Sequence, residues 1–308
     1  MNFSALLNAI PGAAAQGLVW GIMAIGVYIT YKVLDLADLT VDGSMATGGA
    51  VCVMLMLRGV PVWAALLCAI AAGMLAGLMT GVFHTVLGIP PILAGILTQL
   101  SLYSINLAIM EFKANQGINV TKYSLIISQR NVRMPGIGNP IFTVALILAL
   151  LIGILYWFFG TELGCSLRAT GANEAMSRAQ GINTSKAKIL GLMISNGIVA
   201  LASALLSHYQ GFVDVNMGRG AIVIGLAAVI ISDVIFGKLF RNFALKLTGV
   251  ALGAVIYYLV IQVVLWLGLN TNLLKLLSAL IVAVFLGIPY WKTHFSTCYG
   301  SKGGRKHA

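Results

Sequence analysis

Charged residues are scarce in this chain of 308 residues. They make up 9 % of it, whereas soluble domains carry about 25 %, and hydrophobic residues make up 59 %. A soluble fold could not keep water away from so much apolar surface, so the composition indicates an integral membrane protein. Acids are the scarcest charges, with 8 Asp and Glu against 19 Lys and Arg. Because the basic residues lie between and after apolar runs, we expect them to meet anionic lipid and a cytosolic partner rather than nucleic acid.

Motifs for catalysis, nucleotide binding and metal binding are also missing. The four cysteines show no disulfide or metal-site spacing and are interpreted as packing residues: Cys52, Cys68, Cys165 and Cys298. The glycine-rich run Gly300–Lys306 belongs to a basic tail and not to a strand, loop and helix that cradle phosphate. Met1–Gln16 lacks the basic start of a secretory signal. The sequence predicts a chain that is not an enzyme, holds no cofactor or metal, and depends on a separate chain for any energy from ATP.

Nine apolar segments follow one another, most of them near the ~20 residues that a helix needs to cross a bilayer. They are Gly12–Tyr31, a run that ends at Leu57, Val62–Val82, Ile92–Met110, Ile141–Gly160, Ile189–Ser207, Ile222–Phe236, Val250–Leu267 and Leu273–Tyr290. They predict an all-α, polytopic membrane protein with about nine membrane segments in a single transmembrane domain, residues 1–308. Two segments carry small-residue faces that allow close helix contact within or between subunits. These faces are Gly17 and Gly21, and Gly73, Gly77 and Gly81.

Basic residues set the expected orientation of these segments. Lys238, Arg241 and Lys246 form a basic connector, and the tail, residues 291–308, is basic as well. Cytosolic loops are enriched in Lys and Arg, so the connector, the tail and residues 161–188 are predicted to be cytosolic and the N-terminus to lie outside. The loop Glu111–Pro140 disagrees, because it is basic and the same count of segments puts it outside.

A polar segment, Thr161–Lys188, lies between two apolar spans and carries six charges in 28 residues. Within it, Asn173 is a good helix N-cap, and Gly181 can take the left-handed conformation that ends a helix. Glu174 suits the first turn of that helix and Arg178 suits the last. These signals predict a short helix between Asn173 and Gly181.

The predicted helix, Glu174–Gln180, has only two turns, whereas isolated helices below ~12 residues are marginal in water. A capped helix that is too short to persist alone suggests docking into a partner. The small apolar face of Ala175, Met176 and Ala179 would supply the contact. An ordinary solvated loop is the alternative that the pattern leaves open.

A second polar stretch, Lys32–Gly49, lies at the start of the apolar run that ends at Leu57. Three acids lie in it: Asp35, Asp38 and Asp42. Acids are costly there unless they face water, a cavity or a partner. Three glycines would permit a broken or re-entrant backbone beside protein or a wet cavity: Gly43, Gly48 and Gly49. A cytosolic turn followed by an ordinary helix is the alternative.

Two four-residue stretches are similar, Asp38-Leu39-Thr40-Val41 and Asp214-Val215-Asn216-Met217. Each follows an apolar span and precedes an apolar segment with glycine, and an odd number of segments separates them. The two copies would therefore have opposite orientations. Inverted repeats with broken helices place substrate paths at the repeat interface, although chance similarity is the alternative.

The segment Ile92–Met110 carries Gln99, Tyr103 and Asn106 on one stripe. We expect this stripe to face the bundle, because lipid would leave its donors and acceptors unpaired. Structural hydrogen bonding and a role in a translocation path are both open. The candidate path residues are Asp38, Thr40, Asp42, Gly43, Ser44, Gln99, Tyr103, Asn106, Asp214 and Asn216.

The polar segment 161–188 contains a further pattern: Gly164, Arg168-Ala169-Thr170-Gly171, Asn173-Glu174, Ala179, Gly181-Ile182-Asn183, Lys186 and Lys188. This pattern resembles the coupling-helix loop of ABC-importer permeases of the branched-chain amino acid, ribose and nucleoside type. Sugar permeases of this group carry a similar Asp-Leu-Ser-Val-Gly-Ser motif where this chain has Asp38–Ser44. Three stretches look most like permeases of the tryptophan/tyrosine type: Val27–Gly49, Gly160–Asn183 and Gly211–Ser232.

The resemblance implies that this chain is the permease subunit of an ATP-driven importer in the cell membrane. It implies a separate nucleotide-binding ATPase, an extracytoplasmic substrate-binding protein and a homodimer of permease subunits. The implied ATPase-coupling residues are Gly164, Arg168, Gly171, Asn173, Glu174, Ala175, Met176, Arg178, Ala179 and Gly181. The implied solute is an aromatic amino acid, with branched-chain amino acids, sugars and nucleosides as alternatives.

An ion-coupled secondary transporter is the alternative from a different class. Its support is four acids at membrane edges that could carry protons or Na⁺: Asp35, Asp38, Asp42 and Asp214. The predicted two-turn helix argues against it, because such a carrier needs no surface for an ATPase.

Overall fold

A computed structural model of the chain describes residues 3–119, 123, 125–133, 139–237, 239–267 and isolated positions between 276 and 287. Within these residues the fold is almost entirely helical, and seven helices are long and apolar enough to cross a membrane. The prediction of an all-α, polytopic membrane protein is confirmed. The last predicted span, Leu273–Tyr290, and the tail 291–308 lie outside the described residues apart from those isolated positions, so the count of nine segments stays a prediction.

The described part of the chain contains ten α-helices, a π-helical turn, a 3₁₀ helix (Gln129–Arg133) and one two-stranded ribbon. The helices are α1 (Phe3–Tyr28), α2 (Thr40–Leu57), α3 (Val62–Thr85), α4 (Pro91–Ile109), α5 (Pro140–Gly160), α6 (Glu162–Ala172), α7 (Glu174–Ala179), α8 (Thr184–Gln210), α9 (Ala221–Phe236) and α10 (Phe243–Trp266). A π-helical turn, Ile29–Val33, continues α1, and the ribbon pairs β1 (Asn115–Gly117) with β2 (Phe212–Asp214) in antiparallel fashion. Helix α9 is apolar but has only 16 residues.

Helix α8 packs against α1, α2 and α3, and its two ends serve to name the two ends of the bundle. It starts just after α7 and leads into β2, so we name these the α7 end and the ribbon end. Helix α1 runs the opposite way along it. The Tyr209 hydroxyl donates to the Gly12 carbonyl at 3.2 Å, and the Ser195 hydroxyl donates to the Gly26 carbonyl at 2.8 Å.

Helices α2 and α9 run in opposite directions, as the inverted relation of their preceding stretches predicts. Helix α2 starts about halfway along α8, where the Ser44 hydroxyl donates to Asn196, and it reaches the ribbon end, where Cys52 Sγ lies 3.3 Å from His208 Nε2. Helix α9 ends beside the end of α1, where Lys32 and Asp233 form an ion pair at 2.9 Å. Both helices follow a non-helical connection, residues 34–39 and 215–220.

Glycines bring the helices of a single subunit close together. A side chain at Gly48 of α2 would collide with the Ala200 carbonyl of α8. A side chain at Gly77 of α3 would collide with the α8 backbone at Leu192. Gly17 and Gly21 of α1 face α10 at similarly short range. The predicted small-residue faces therefore pack within the subunit, which decides a point that the sequence left open.

The break in the backbone lies upstream of the glycines that were expected to permit it. Gly43, Gly48 and Gly49 lie inside the continuous helix α2, where they allow close packing. The interruption is residues 34–39, in which Asp35 has φ of +55°. Asp is among the residues that tolerate this left-handed conformation best, so the chain can turn there without glycine.

The interpretation of the cysteines as packing residues holds for one of them. Cys52 is fully buried, whereas Cys68 and Cys165 are exposed in the isolated chain. Cys298 lies outside the described residues.

Candidate functional site

Helix α7 forms where the sequence predicts it. The Asn173 side chain accepts a hydrogen bond from the Met176 amide at 3.0 Å, and Gly181 follows the helix with φ of +81°. The helix spans Glu174–Ala179, with Gln180 as its C-cap. The cap residues therefore predict both ends of this helix to within one residue.

One face of α7 is exposed in the part of the chain that the structure describes. Ala175, Met176 and Ala179 are exposed, with Met176 at 61 %. Ser177 lies on the opposite side, is buried, and donates to the Asn173 carbonyl at 2.9 Å. The exposed side is the small apolar face that the sequence predicts, and its contact with a partner stays a prediction.

A carboxylate holds α7 against the start of α8. Glu174 accepts hydrogen bonds from Arg178 at 2.7 Å and from Lys188 at 2.8 Å, and Arg178 also donates to Thr184 at 2.9 Å. The bonded Lys188 ammonium lowers the pKa of the Glu174 carboxyl, so the group is ionised at neutral pH. Lys188 Nζ also lies 3.5 Å from His84 Nε2, which connects α7 and α8 to the end of α3.

Three other predicted coupling residues pack the polar segment against the membrane helices. A side chain at Gly164 would collide with the backbone at the end of α5, and one at Gly171 would collide with the Val33 carbonyl. The Arg168 guanidinium carbon lies 5.7 Å from the centroid of the Phe243 ring of α10. These residues hold α6 in place and do not share the exposed face of α7.

Asp38 lies in a buried hydrogen-bond network rather than at an open surface. Its carboxylate accepts from the Asn196 side-chain amide at 2.7 Å and from the Thr40 backbone amide at 2.9 Å, and it is 3 % exposed. Asn196 in turn accepts from the Ser44 hydroxyl. Three predicted path residues, Asp38, Thr40 and Ser44, therefore connect α2 to α8 inside one subunit.

Sequence reasoning missed the residues that complete this network. The Thr80 hydroxyl oxygen lies 2.7 Å from that of Thr40 and 2.9 Å from that of Thr98, which joins α3 and α4 to the cluster. A single threonine in an apolar span gives little signal, because its hydroxyl can bond a carbonyl of its own helix. Asn196 offered a clearer signal, since it is an amide in the middle of an apolar span.

Asp42 caps the start of α9 from within the first turn of α2. Its two oxygens accept hydrogen bonds from the Gly220 and Ile222 amides, each at 3.0 Å. The first amides of a helix lack partners within it and carry partial positive charge, so a carboxylate is favoured there. The contact joins the starts of two oppositely directed helices. The path role of Asp42 stays a prediction.

The polar stripe of α4 is divided between core and surface. Asn106 is buried and donates to the Gly43 carbonyl at 3.4 Å, Gln99 is half-buried, and Tyr103 is 43 % exposed. The expectation that the whole stripe faces the bundle is wrong for Tyr103. Tyr103 lies about 60° around the α4 axis from Asn106. This rotation moves its side chain away from the face of α4 that packs against α2 and α3. The Arg219 guanidinium carbon lies 6.0 Å from the Tyr103 ring centroid.

Asp214 and Asn216 lie at the ribbon end. Asp214 closes β2 opposite Asn115 and accepts from the Asn216 amide at 2.6 Å. Asp35 is exposed near the α7 end, so the four acids of the ion-coupled alternative do not form one site. Among the described residues, no group of three or more His, Cys, Asp or Glu side chains could hold a metal ion.

A cavity of about 860 Å³ opens toward the ribbon end between α1, α9 and α10. Its lining mixes aromatic and polar side chains, among them Gln16, Tyr209, Arg219, Tyr258 and Gln262. None of the predicted path residues lines it, and the sequence pattern did not single out its lining residues.

Known proteins similar to this chain include transport permeases. It is 37 % identical over 280 residues to the tyrosine transport system permease protein of Clostridioides difficile (strain R20291), with 91 % of each chain covered. It is 27 % identical over 260 residues to the fructose import permease protein FruF of Bifidobacterium longum (strain NCC 2705), covering 83 % of this chain and 70 % of that one. PsaBC from Streptococcus pneumoniae in complex with Fab has a similar fold, with a TM-score of 0.53 at 16 % identity over 93 % of this chain and 95 % of that chain.

A family model described as the branched-chain amino acid transport system permease component matches residues 10–292. Members are multi-pass membrane proteins without catalytic activity of their own, and the family implies an ATPase and a substrate-binding protein as partners. The extent of the match and the identity to the tyrosine permease show that the chain belongs to this permease family and is the membrane-spanning subunit of an ABC importer.

Proposed function

We propose that this subunit conducts an aromatic amino acid of the tyrosine or tryptophan type, and that α7 is its contact with the ATPase. The observation that carries the proposal is the exposed apolar face of a two-turn helix that is held from behind by ion pairs. In this proposal the α7 end, the basic connector and the tail 291–308 face the cytosol, and the ribbon end receives the binding protein.

The contacts of α7 explain how movement of an ATPase would reach the membrane. Two alanines let a partner approach closely, and the flexible Met176 side chain adapts to the shape of a groove. Glu174 and Lys188 couple α7 to α8, which is one continuous helix from Thr184 to Gln210. Asn196 of α8 then bonds Asp38 before α2. A push on α7 would therefore displace α8 and the start of α2 together.

The surfaces of α4 and α5 suggest where the path lies. Both helices are mostly exposed in the isolated chain, but the exposed side of α4 carries Ser101, Tyr103 and Ser104. The exposed side of α5 is apolar, and that helix has no charged residue. Polar groups are unfavourable against lipid, so we propose that α4 faces a central path and α5 faces lipid. Two copies related by a two-fold axis would bring their α4 helices to opposite sides of that path.

The identity of the solute, an aromatic amino acid, is the most specific part of the proposal. It is supported by the 37 % identity to a tyrosine permease, against 27 % to a fructose permease. The described residues show no dense set of ion-pairing groups on α4, so we expect a weakly binding passage whose selectivity follows the binding protein. Branched-chain amino acids, sugars and nucleosides are the alternative solutes.

Transport by the purified complex tests the function. Proteoliposomes would hold the permease and its ATPase, with the binding protein added outside, and uptake of tyrosine, tryptophan, leucine, ribose and adenosine would be measured. We expect uptake of tyrosine or tryptophan with ATP and none with a non-hydrolysable analogue. Selective ribose or adenosine uptake would contradict the solute. Uptake driven by a Na⁺ or proton gradient without the ATPase would contradict the coupling.

Native mass spectrometry of the same complex tests the dimer. We expect two copies of this chain with two ATPase subunits. A single permease chain per ATPase pair, or a second and different permease, would contradict the homodimer.

A further inference from the structure

A second cavity, of about 550 Å³, lies at the α7 end where α5, α6 and α10 meet. Among the described residues, its lining includes two arginines, Arg168 of α6 and Arg241 just before α10, and no acid. Asn242 adds a neutral amide, and Tyr156 and Trp157 form the wall on the α5 side. The cavity thus combines two positive charges with aromatic rings at the end of a membrane helix.

The aromatic wall marks the depth of the cavity in the membrane. Trp157 is 71 % exposed and Tyr156 is 53 % exposed, and both lie in the last turn of a helix that is otherwise apolar outward. Such rings are enriched at the headgroup level of a bilayer, because one part of each ring system is apolar and another is a hydrogen-bond donor. The cavity therefore opens at the level of the lipid headgroups, on the side of the bundle that we assign to lipid.

A neighbouring cavity with basic residues differs from the cavity of Arg168 and Arg241 because its lining includes an acid. It is lined by Lys32, Lys246 and Asp233, and Asp233 forms an ion pair with Lys32 at 2.9 Å. Its positive charge is partly neutralised by the protein itself. The cavity with Arg168 and Arg241 has no such acid in its lining, and the Arg168 guanidinium is held against the Phe243 ring instead.

We propose that this cavity, the arginine cavity, binds the phosphate headgroup of an anionic phospholipid whose chains lie along α5. A planar guanidinium suits phosphate because it can donate two parallel hydrogen bonds, and basic pockets between membrane helices bind anionic headgroups. The assignment to the cytosolic leaflet rests on the proposed function, whereas the binding itself does not.

Lipid retention on the purified full-length chain tests the proposal. Native mass spectrometry would follow binding of phosphatidylglycerol and of phosphatidylcholine to wild type, to Arg241→Gln and to the matched control Lys246→Gln. Arg241 is exposed, so the substitution leaves the core intact. We expect phosphatidylglycerol to be retained in preference to phosphatidylcholine, and about fivefold weaker retention in Arg241→Gln, the effect of one basic residue near an anionic surface. Lys246→Gln should retain it as wild type does.

Three outcomes would overturn the proposal. Equal losses in Arg241→Gln and Lys246→Gln would indicate general charge attraction and no site. Equal retention of the two lipids by wild type would exclude recognition of the net negative charge. Displacement of the lipid by millimolar inorganic phosphate would assign the cavity to a free phosphate. None of these outcomes depends on ATP or on the solute, so they are distinct from a failure of the transport function.

Discussion

Asp38 and Glu174 are both carboxylates held by hydrogen bonds, but their surroundings differ. Asp38 is 3 % exposed, and its partners are uncharged: the Asn196 side chain and the Thr40 backbone amide. The Glu174 side chain is 37 % exposed, and its main partners are the cations of Arg178 and Lys188. One carboxylate lies where four helices of the bundle meet, and the other lies at the α7 end.

These surroundings give the Asp38 network and the Glu174 ion pairs different roles. Around the buried carboxylate, loss of one partner leaves another polar group unpaired, so the network stabilises one arrangement of the helices. An exposed ion pair contributes little to folding stability, about 1 kcal/mol at most. It does hold α7 in position while the apolar face remains free. We therefore expect damage at Asp38 to lower stability, and damage on the face of α7 to lower coupling alone.

The largest effect is expected from Ala175→Glu, which places a carboxylate on the apolar face of α7. Burying an unpaired charge in the groove of a partner costs well over about 2 kcal/mol, so retention of the ATPase on co-purification should fall at least tenfold. Ala172→Glu, at the exposed end of α6, is the matched control. Both variants should unfold as wild type does. Full retention of the ATPase by Ala175→Glu would show that the apolar face of α7 does not contact the ATPase.

Asp38→Asn should lower the free energy of unfolding by about 2 kcal/mol. The new amide group would face either the Asn196 amide or the Thr40 amide, and two donors cannot bond each other. Denaturant unfolding in detergent micelles measures the change. Asp35→Asn is the control, because it makes the same substitution at an exposed position three residues away. Similar losses in the two variants would mean that the buried network is not what stabilises the bundle.

Asp42→Ala should have a smaller and more local effect, about 1 kcal/mol, the usual value of a helix cap. The Gly220 and Ile222 amides lose their acceptor, so their hydrogen exchange should accelerate while exchange in α8 stays unchanged. Asp214→Ala is the control, because it removes a carboxylate at the ribbon end that does not bond α9. Unchanged exchange at the start of α9 would contradict the capping role.

The smallest effect concerns pH and Glu174. Because the Lys188 ammonium lowers the folded-state pKa of this carboxyl, its contribution to stability is present above the ordinary value, about 4.3, and is lost as pH falls through the folded-state pKa. Glu174→Gln should melt below wild type at pH 7, and the gap should close on acidification. The contribution is below about 1 kcal/mol because the pair is partly exposed. Glu162→Gln on α6 is the control, and a gap that persists in acid would argue for lost packing instead.

The membrane class, most of the spans and the ends of α7 could be predicted from the amino-acid sequence alone. Apolar runs of about 20 residues specify membrane helices because lipid offers backbone groups no other partner. Asn173 and Gly181 specify the ends of α7 because their hydrogen bonds and dihedral angles involve neighbours only a few residues away. The sequence shows no nucleotide-binding motif and predicted a separate ATPase, a partner that the permease family also implies.

Which polar residues lie in contact became clear from the packing of the helices. Asp38, Asp42 and Tyr103 were alike as candidates for the path, yet one bonds Asn196, one caps α9 and one lies at the surface. The glycine faces were likewise open until their helices proved to pack within the subunit. These outcomes join residues more than a hundred positions apart or depend on the rotation of a helix by a fraction of a turn. Such relations are set by how whole helices pack, and a local pattern of residue types does not contain them.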